Sequence, residues 1–408
     1  MERSKVVSII GMGYVGLPLL IESTKVGWSV FGIDANEERV TRLNQADSYI
    51  EDVSNEELRG ALESGRVKFS SSSEIVAESD IVIFCLPTPT LNHEPDLSIL
   101  LDAIKEYAPY FRDGVLIISE SSSYPGTLRD KIMPLCEAVR GNKVFHYGHA
   151  PERVDPGNKK WTNRKTPRII SVIDSKSMGR MREFYSSICN ELIEVKSPEI
   201  AEAAKMFENS FRQVNIALVT EFARYCNKVG IPADLVLEAA STKPFGFMKF
   251  NYGIGVGGHC IPVDPVFLLD HARSNGANLD IIQLSNEINQ EQPRYVFDRM
   301  KKVLGQKIAE SRVLVVGLSY KPNTSDLRES PSIELLQLII SEGIEVYWYD
   351  PMCNQKIEVP SGSPEDRYDI GIVTVIHDGF DYSQILDSCS MILDCTHKIP
   401  LAKNVTRL

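Results

Sequence analysis

The feature that most limits what this chain can fold into is a series of three glycines directly after a short apolar run. Val6-Val-Ser-Ile-Ile10 is rich in β-branched residues, and Gly11-Met-Gly13-Tyr14-Val15-Gly16 follows it at once. In this spacing the first glycine permits a tight turn, the second lets the backbone approach a ligand, and the third lets a helix pack closely on the strand. The pattern therefore predicts a strand, a turn and a helix of a parallel α/β sheet.

A carboxylate further along the chain extends this pattern to a dinucleotide site. Asp34 stands at the end of a second apolar run, residues 30–33. A carboxylate at that point accepts hydrogen bonds from ribose hydroxyls and repels the 2′-phosphate of NADP. We therefore expect NAD as the cofactor, with its pyrophosphate at the helix N-terminus.

The order of apolar patterns along the chain predicts three segments. Runs at residues 81–84 and 115–119 continue the alternation of strands and helices, and helical spacing then begins after residue 196 and ends at Gly230 and Pro232. Short runs return at 313–316, 346–349, 370–374 and 391–394, and residues 312–318 repeat the shape of 6–12. We predict an α/β fold with two Rossmann-like sheet domains, 1–196 and 301–408. They are joined by a central helical domain, 197–300, whose long spine helix is a common kind of dimer surface.

Composition argues against several classes of protein. The 408 residues include 44 Lys and Arg against 55 Asp and Glu, and a net charge of −11 does not suit a nucleic-acid partner. No apolar run reaches the roughly 18 residues that cross a bilayer, and three glycines and Pro18 interrupt the N-terminal stretch that resembles a signal peptide. The eight cysteines form no CxxC pair and the seven histidines show no metal-ligand spacing. We expect a cytoplasmic protein with no metal site and no membrane partner.

A second glycine-rich segment contains the most unusual cysteine of the chain. Gly253-Ile-Gly255-Val-Gly257-Gly258-His259-Cys260 places four glycines in six positions, and Asp264 follows four residues after the cysteine. Each glycine costs about 1 kcal/mol in a helix or strand, so we infer that this backbone comes very close to another group. An isolated cysteine is more often a small buried apolar residue. In a glycine loop near a carboxylate it becomes a candidate nucleophile.

Three polar residues share one face of the predicted central helix. Lys205, Asn209 and Arg212 follow one another at steps of four and three, turned aside from the apolar stripe. A solvated helix face explains such a pattern equally well, and this alternative stays open for Arg212 in particular.

The ordered motifs together resemble the UDP-sugar 6-dehydrogenase family, which includes UDP-glucose and UDP-N-acetylhexosamine dehydrogenases. The resemblance covers essentially the whole chain, with matching motifs at residues 11–17, 32–36, 86–89, 95–96, 121–127, 150–153, 205–209, 257–264, 317–326 and 328–331. It implies oxidation of the sugar C6 alcohol to a carboxylic acid with reduction of two NAD.

The resemblance also implies roles for individual residues. Cys260 would capture the aldehyde as a thiohemiacetal and then hold a thioester, while Lys205 and Asn209 stabilise the oxyanion and Asp264 handles protons. Glu152 and Ser123 would order the hydrolytic water. The implied cofactor contacts are Gly11, Gly13, Tyr14, Val15, Gly16, Asp34, Arg39, Pro87, Thr88, Ser123 and Arg328. The implied substrate contacts are Glu152, Arg153, Lys205, Asn209, Arg212, Phe250, Gly257 and Lys321.

Two segments bear on the identity of the sugar. Residues 243–248, with the sequence Gly-Gly-His-Cys at 257–260, resemble the N-acetylhexosamine branch, and residues 151–158 resemble UDP-N-acetylglucosamine enzymes more than UDP-N-acetylmannosamine enzymes. After Phe250 the chain has Asn-Tyr-Gly-Ile-Gly, where acetamido-sugar relatives usually have Tyr-Pro-Gly-Pro-Gly. We expect UDP-N-acetylglucosamine as the substrate, in the synthesis of polysaccharide precursors. UDP-N-acetylmannosamine, UDP-N-acetylgalactosamine and UDP-glucose are the alternatives.

Two other classes of protein share parts of these patterns. Two-electron hydroxyacid dehydrogenases combine a Rossmann domain with a Lys/Asn pair, but they need neither a cysteine in a glycine loop nor a third domain. A non-catalytic nucleotide-sugar sensor would tolerate the loss of Lys205 or Cys260, whereas this chain keeps both. The resemblance further implies a homodimer or a higher homo-oligomer.

Overall fold

The computed structural model describes residues 5–91, 94–154 and 160–408. The chain divides into two compact units, Met1–Glu208 with Val266–Asn275 and Asn209–Pro265 with Gly276–Leu408. The three-domain plan with boundaries at residues 196 and 300 stays a prediction.

The first unit is built on a predominantly parallel sheet. Its strands are β1 (Val6–Ile10), β2 (Ser29–Ile33), β3 (Val67–Ser70), β4 (Ile81–Phe84), the paired segments β5 (Thr90–Leu91) and β6 (Glu94–Pro95), β7 (Leu116–Ser119), β8 (His146–His149), β9 (Arg168–Val172) and β10 (Leu192–Glu194). In the described residues the large sheet has eight strands in the order β10-β9-β8-β7-β4-β1-β2-β3. The β8–β9 pair is antiparallel and the other six neighbouring strand pairs of this sheet are parallel, whereas β5 and β6 form an antiparallel pair of their own.

Helices connect the strands of the first sheet. They are α1 (Gly16–Lys25), α2 (Glu37–Asn44), α3 (Asn55–Glu63), α4 (Ser98–Tyr107), α5 (Met133–Val139) and α6 (Met178–Ile188). Local capping explains where some of them begin: Ser54 Oγ accepts the Glu57 amide, and the Glu57 carboxylate accepts the Ser54 amide in return, so α3 begins with a capping box. Apolar side chains of β1 and of α1, including Ile9 and Leu17, lie in one buried cluster.

The central helix α7 (Pro198–Val229) has the length that the helical spacing predicts. Proline suits its first turn, because the amide that proline lacks has no partner within a helix at that position. The helix ends where Gly230 takes a φ of +73°. Further helices follow as α8 (Ala233–Ser241), α9 (Asp264–Ser274), α10 (Asp280–Gln290) and α11 (Gln292–Leu304). In the described part of the chain, no helix is both long and apolar enough to cross a membrane.

The second unit contains another parallel sheet. Its elements are β11 (Arg312–Val316), α12 (Pro331–Ser341), β12 (Glu345–Tyr349), β13 (Tyr368–Val373), α13 (Ser383–Asp387), β14 (Cys389–Asp394) and β15 (Val405–Arg407). The strand order is β12-β11-β13-β14-β15 with every neighbouring pair parallel. Each strand predicted from an apolar run is present, and the predicted α/β class with two Rossmann-like sheets and a long helix is confirmed.

Candidate functional site

The first and third glycines of the N-terminal turn are required by the protein's own packing. Gly11 has a φ of +96°, and a Cβ there would lie 2.5 Å from the carbonyl oxygen of Cys85, while a Cβ on Gly16 would collide with the Gly11 carbonyl. A Cβ on Gly13 would meet no protein atom within 4 Å. Packing therefore gives no reason for glycine at position 13, whereas close approach of a pyrophosphate to the backbone does. Tyr14 and Val15, in the same turn, are half-buried.

Asp34 lies at the end of β2 with its carboxylate held in place. Oδ2 accepts the Met12 amide at 3.0 Å and Oδ1 accepts the Asn36 amide at 2.9 Å, and Arg39 Nη1 lies 3.6 Å from Oδ2. Each carboxylate oxygen can accept a further hydrogen bond, so the pair of ribose hydroxyls predicted from the sequence fits here.

Tyr49 supports this turn and has no counterpart in the sequence motif. Its hydroxyl donates to the Met12 carbonyl at 2.7 Å, and the guanidinium groups of Arg39 and Arg42 lie 5.5 and 5.4 Å from its ring. Burial raises the pKa of Tyr49 to about 12, so the hydroxyl stays a donor. No local pattern links residue 49 to residue 12, and sequence reasoning missed it.

The second unit has the same strand and glycine turn, but the carboxylate that follows binds groups of the protein itself. Gly317 also has a φ of +96° after β11, and Asp350 follows β12 as Asp34 follows β2. Asp350 Oδ2 accepts the amides of Leu318 and Ser319, and Oδ1 lies 3.0 Å from Nε2 of His377, with both side chains fully buried. The repeated shape predicted for residues 312–318 is present, but the Asp350 carboxylate is buried and bonded to groups of the protein.

A loop after β7 brings several predicted cofactor and water contacts together in the first unit. The Leu86 amide donates to Ser121 Oγ at 3.0 Å, and Thr88 Oγ1 donates to the Ser122 carbonyl at 2.8 Å, while Pro87 between them is exposed. Ser123 is buried, and its hydroxyl makes no hydrogen bond within the described residues. The loop after β7 is thus bonded to residues 86–88, which follow Cys85, the residue whose carbonyl packs on Gly11.

Glu152 and Arg153 lie just beyond β8 with different partners. The Glu152 carboxylate accepts the amide of Val154. Arg153 binds Glu208 of α7 through Nε and Nη2, at 3.0 and 2.6 Å, and donates from Nη1 to the Pro167 carbonyl. The arginine is held by the protein, and its predicted substrate contact stays a prediction. Residues 155–158, part of the segment that favoured the glucosamine sugar, lie outside the described residues.

Sequence reasoning also missed a buried charge cluster beneath this region. Arg168 Nη1 lies 3.1 Å from Glu120 Oε2, and the Tyr185 hydroxyl donates to Glu120 Oε1 at 2.5 Å. Burial raises the pKa of Glu120, although the charge of Arg168 opposes the rise. The sequence did contain one signal for this cluster, because Arg168 is a charged residue at the start of the apolar strand β9.

In the second unit, the glycine loop before Cys260 packs against protein rather than open space. A Cβ on Gly257 would lie 2.7 Å from the Glu329 carbonyl oxygen, and Gly258, with a φ of +81°, would bring its Cβ 2.7 Å from the Tyr320 ring. The Gly258 amide donates to the Arg328 carbonyl at 3.0 Å. The close approach inferred from the glycines is therefore confirmed, and the approaching group is the segment at residues 320–329.

Cys260, Asp264 and Asn209 are linked in the second unit. The Asp264 amide donates to the Cys260 carbonyl at 2.8 Å, which places the cysteine one turn before α9. The Asp264 side chain is fully buried, and its Oδ2 accepts a hydrogen bond of 2.5 Å from Asn209 Nδ2. Three residues predicted to share a site are thus brought together.

The other predicted residues fall into distinct settings. Lys205 precedes Asn209 by one turn of α7, and both are buried, with 6% and 5% of their surface exposed. Arg212 is exposed, as the solvated-face alternative expects. The Phe250 ring meets the Phe211 ring edge-on at 6.0 Å. Lys321 is half-buried beside Tyr320, and Arg328 binds Asp326 through two nitrogens. Since Lys205, Glu152 and Ser123 belong to the first unit, a single site formed with Cys260 stays a prediction.

Comparison with known families covers most of the chain. Residues 5–189, 199–291 and 314–398 match the NAD binding, central and UDP binding domains of the UDP-glucose/GDP-mannose dehydrogenase family. The chain belongs to this family. It is an NAD-dependent UDP-sugar dehydrogenase, and the predictions of family, enzyme class and cofactor are confirmed.

Several relatives of this dehydrogenase match over nearly their full length. The UDP-N-acetyl-D-mannosamine dehydrogenase of Methanocaldococcus jannaschii is 33% identical over 95% of this chain and 90% of its own. The UDP-N-acetyl-D-glucosamine 6-dehydrogenase of Pseudomonas aeruginosa is 33% identical over 92% and 91%. The solved UDP-D-ManNAc dehydrogenase of Pyrococcus horikoshii superposes with a TM-score of 0.90 at 30% identity, covering 98% of both chains.

The Asp34 carboxylate gives a test of cofactor recognition in this dehydrogenase. Asp34→Ala removes the acceptor for the ribose hydroxyls and the charge that repels a 2′-phosphate. We expect KM for NAD to rise about 10–100-fold, since hydrogen bonds to a charged group contribute about 1.5–3 kcal/mol, and the preference over NADP to shrink. Steady-state kinetics with both cofactors measure this. Asp102→Ala, which removes an exposed carboxylate of α4, is the control, and an unchanged cofactor preference in Asp34→Ala contradicts the ribose assignment.

The glycine loop gives a test of the packing that positions Cys260. Gly258→Ala adds a Cβ against Tyr320 at a positive φ, and we expect the free energy of unfolding to fall by about 2–4 kcal/mol. Gly276→Ala is the control, because Gly276 has a φ of +72° and a Cβ there would meet nothing within 4 Å. That variant loses only about 1–2 kcal/mol. Equal losses in chemical denaturation would show that the contact with Tyr320 is unimportant.

Proposed function

We propose that this dehydrogenase oxidises the C6 alcohol of a UDP-N-acetylhexosamine to the uronic acid, and that UDP-N-acetylglucosamine is its substrate. Relatives named for acetamido sugars, UDP-N-acetyl-D-mannosamine and UDP-N-acetyl-D-glucosamine, support this class of substrate. Both match at 33% identity, so the choice of glucosamine rests on the sequence at residues 151–158. The product is a precursor for polysaccharide synthesis.

The observation that carries the proposal is the buried Asn209–Asp264 pair one turn from Cys260. A fully buried carboxylate requires partners, and here it has an amide donor at 2.5 Å and lies next to the sulfur-bearing loop. A nucleophile, an acid or base and an amide donor in one place are the groups that covalent oxidation of an aldehyde needs. A two-electron dehydrogenase has no use for such a cysteine.

The chemistry follows from these groups. When bound, NAD would supply the hydride acceptor for both oxidation steps. Loss of a hydride and a proton from the C6 alcohol gives an aldehyde, and the Cys260 sulfur adds to its carbon to form a thiohemiacetal. Loss of a second hydride and the hydroxyl proton gives a thioester. Water then breaks the C–S bond, which releases the carboxylate and restores the thiol.

Other residues stabilise charge and move protons in this scheme. Lys205 and Asn209 stabilise the oxyanion that develops at C6, because a buried cation and an amide donor act strongly in a site of low dielectric. Asp264 accepts and returns protons directly or through water. Glu152 orders the water that attacks the thioester, with Ser123 as a further contact.

In this proposal the second unit binds the UDP moiety. Its match to a UDP binding domain supports this, and the loop at residues 317–328 supplies Lys321 and Arg328 for phosphate charge, the latter also reaching the cofactor. Phe250 and Gly257 contact the uridine and sugar. Arg153 and Arg212 are further substrate contacts carried over from the family resemblance.

Counting NADH per sugar tests the reaction and its substrate together. With limiting UDP-N-acetylglucosamine, UDP-N-acetylmannosamine, UDP-N-acetylgalactosamine or UDP-glucose and excess NAD, we expect two NADH per molecule of substrate and the highest kcat/KM for the first. One NADH per sugar would favour a two-electron dehydrogenase. No NADH with any of the four would favour a sensor.

The same assay with Cys260→Ser tests the covalent step. We expect nucleotide-sugar binding to persist while kcat for acid formation falls about a thousandfold or more, because the thioester cannot form. Cys353→Ser is the matched control, since Cys353 is a partly exposed cysteine of the same unit. Normal turnover by Cys260→Ser would remove the covalent mechanism.

We also propose that two copies of the chain associate through α7. Its outward side presents a row of large apolar residues, Ile200, Phe207, Phe211, Leu218, Tyr225 and Val229, each at least 42% exposed. Their steps of seven and four residues keep them on one stripe, the pattern by which helices pair. A second copy offers the same stripe and covers it.

Sedimentation tests this association. We expect the protein to sediment as a dimer or larger assembly at micromolar concentration, and Phe207→Glu to shift it toward monomer because a buried charge is costly. Leu401→Glu changes another leucine, 71% exposed, and leaves the assembly unchanged. A monomeric wild-type protein contradicts the proposal.

A further inference from the structure

Glu202 on α7 is a buried carboxylate for which the proposed chemistry has no task. It is 1% exposed, and its two oxygens accept backbone amides, Oε2 from Gly126 at 2.6 Å and Oε1 from Leu128 at 2.9 Å. The two bonds tie one side chain to two amides of a distant segment.

Those two amides end the loop that carries Ser123. Two hydrogen bonds hold the beginning of this loop. The Leu86 amide donates to Ser121 Oγ, and Thr88 Oγ1 donates to the Ser122 carbonyl. Its end turns at Gly126, which has a φ of +93°. The loop is therefore anchored at both ends, and Glu202 provides the second anchor.

On its own helix, Glu202 precedes Lys205 by three residues. Side chains three apart lie on the same side of a helix in adjacent turns. We propose that Glu202 is a positioning residue, whose paired hydrogen bonds set the Ser123 loop against the turn of α7 that bears Lys205. The proposal rests on the proposed function for its catalytic consequence.

Burial makes Glu202 an expensive choice for a purely structural contact. Burial raises the pKa of Glu202 to about 8, with Glu199 and Asp130 acting in the same direction and the two amides opposing them. An apolar side chain would fill the space without that cost, but it would offer the amides no acceptor.

Glu199 shows what an ordinary acid on this helix does. It binds Arg129 Nε at 2.6 Å, but the side chains of the pair are 32% and 46% exposed, so solvent screens the attraction. Glu199 lies one turn away from Glu202, and the group that it binds is the Arg129 side chain. It is therefore the matched control.

The test compares Glu202→Gln with Glu199→Gln in the full-length enzyme. The Gln amide keeps one acceptor and turns the other into a donor that faces an N–H, so one anchor bond is lost. We expect kcat to fall about 10–100-fold with KM values for NAD and sugar changed less than about threefold, because misplacement of about 1 Å costs this much in rate. Glu199→Gln stays within about twofold of wild type.

Backbone amide exchange supplies a readout that is independent of turnover. We expect faster exchange in Glu202→Gln at Gly126 and Leu128, with the β-sheet amides unchanged. If that variant does not fold, Glu202→Asp replaces it, since the shorter side chain keeps the carboxyl group but cannot span both amides. In whichever variant folds, a kcat within about twofold of wild type, or unchanged exchange at both amides, overturns the proposal.

The two proposals fail in different ways. If the wild-type enzyme reduces no NAD with any UDP-sugar, the proposed function is wrong, and exchange at Gly126 and Leu128 still decides whether Glu202 anchors the loop. If the wild-type enzyme forms two NADH per sugar and the Glu202 variant matches its kcat, only the positioning role is wrong.

Discussion

The buried side of α7 is the constraint on which much of this structure depends. A helix of a globular protein ordinarily buries its largest apolar residues, yet α7 exposes Phe207 and Leu218 and buries Glu202, Lys205 and Asn209. Burying such groups is unfavourable unless each finds a partner. The loop after β7 supplies amides for Glu202, and α9 supplies the carboxylate for Asn209. Chain segments distant in sequence must therefore be correctly placed before this helix side is satisfied.

The two sheets show how one local design serves different purposes. Both have a strand, a glycine at a φ of +96° and an aspartate after the next strand. Asp34 keeps lone pairs for a ligand, because its protein donors are two amides and a more distant arginine. Asp350 also receives His377 and is closed to solvent. A cofactor site thus requires a carboxylate whose oxygens can still accept hydrogen bonds, and the presence of the carboxylate alone is not enough.

The fold and the glycine turns were predictable because their signals are local. Strands buried on both faces read as continuous apolar runs, and the turns need glycine where φ is positive or backbones meet. The Glu120–Arg168–Tyr185 cluster and the Glu202 anchor were not predictable, because their partners lie 48 to 76 residues apart and leave no periodic trace. Motif spacing found Cys260 and Asp264, but it did not show that Tyr320 fills the space against the glycines.

The sequence by itself determined where strands end, where the chain turns and that residues after 197 form one long helix, since backbone preferences and apolar periodicity act over a few residues. Only the tertiary structure decided that the polar side of α7 faces inward and that its apolar stripe faces out. A helical repeat is compatible with burial of either side, and the choice depends on whether distant groups can satisfy the polar one. The same holds for the strand-end acids, whose partners alone separate Asp34 from Asp350.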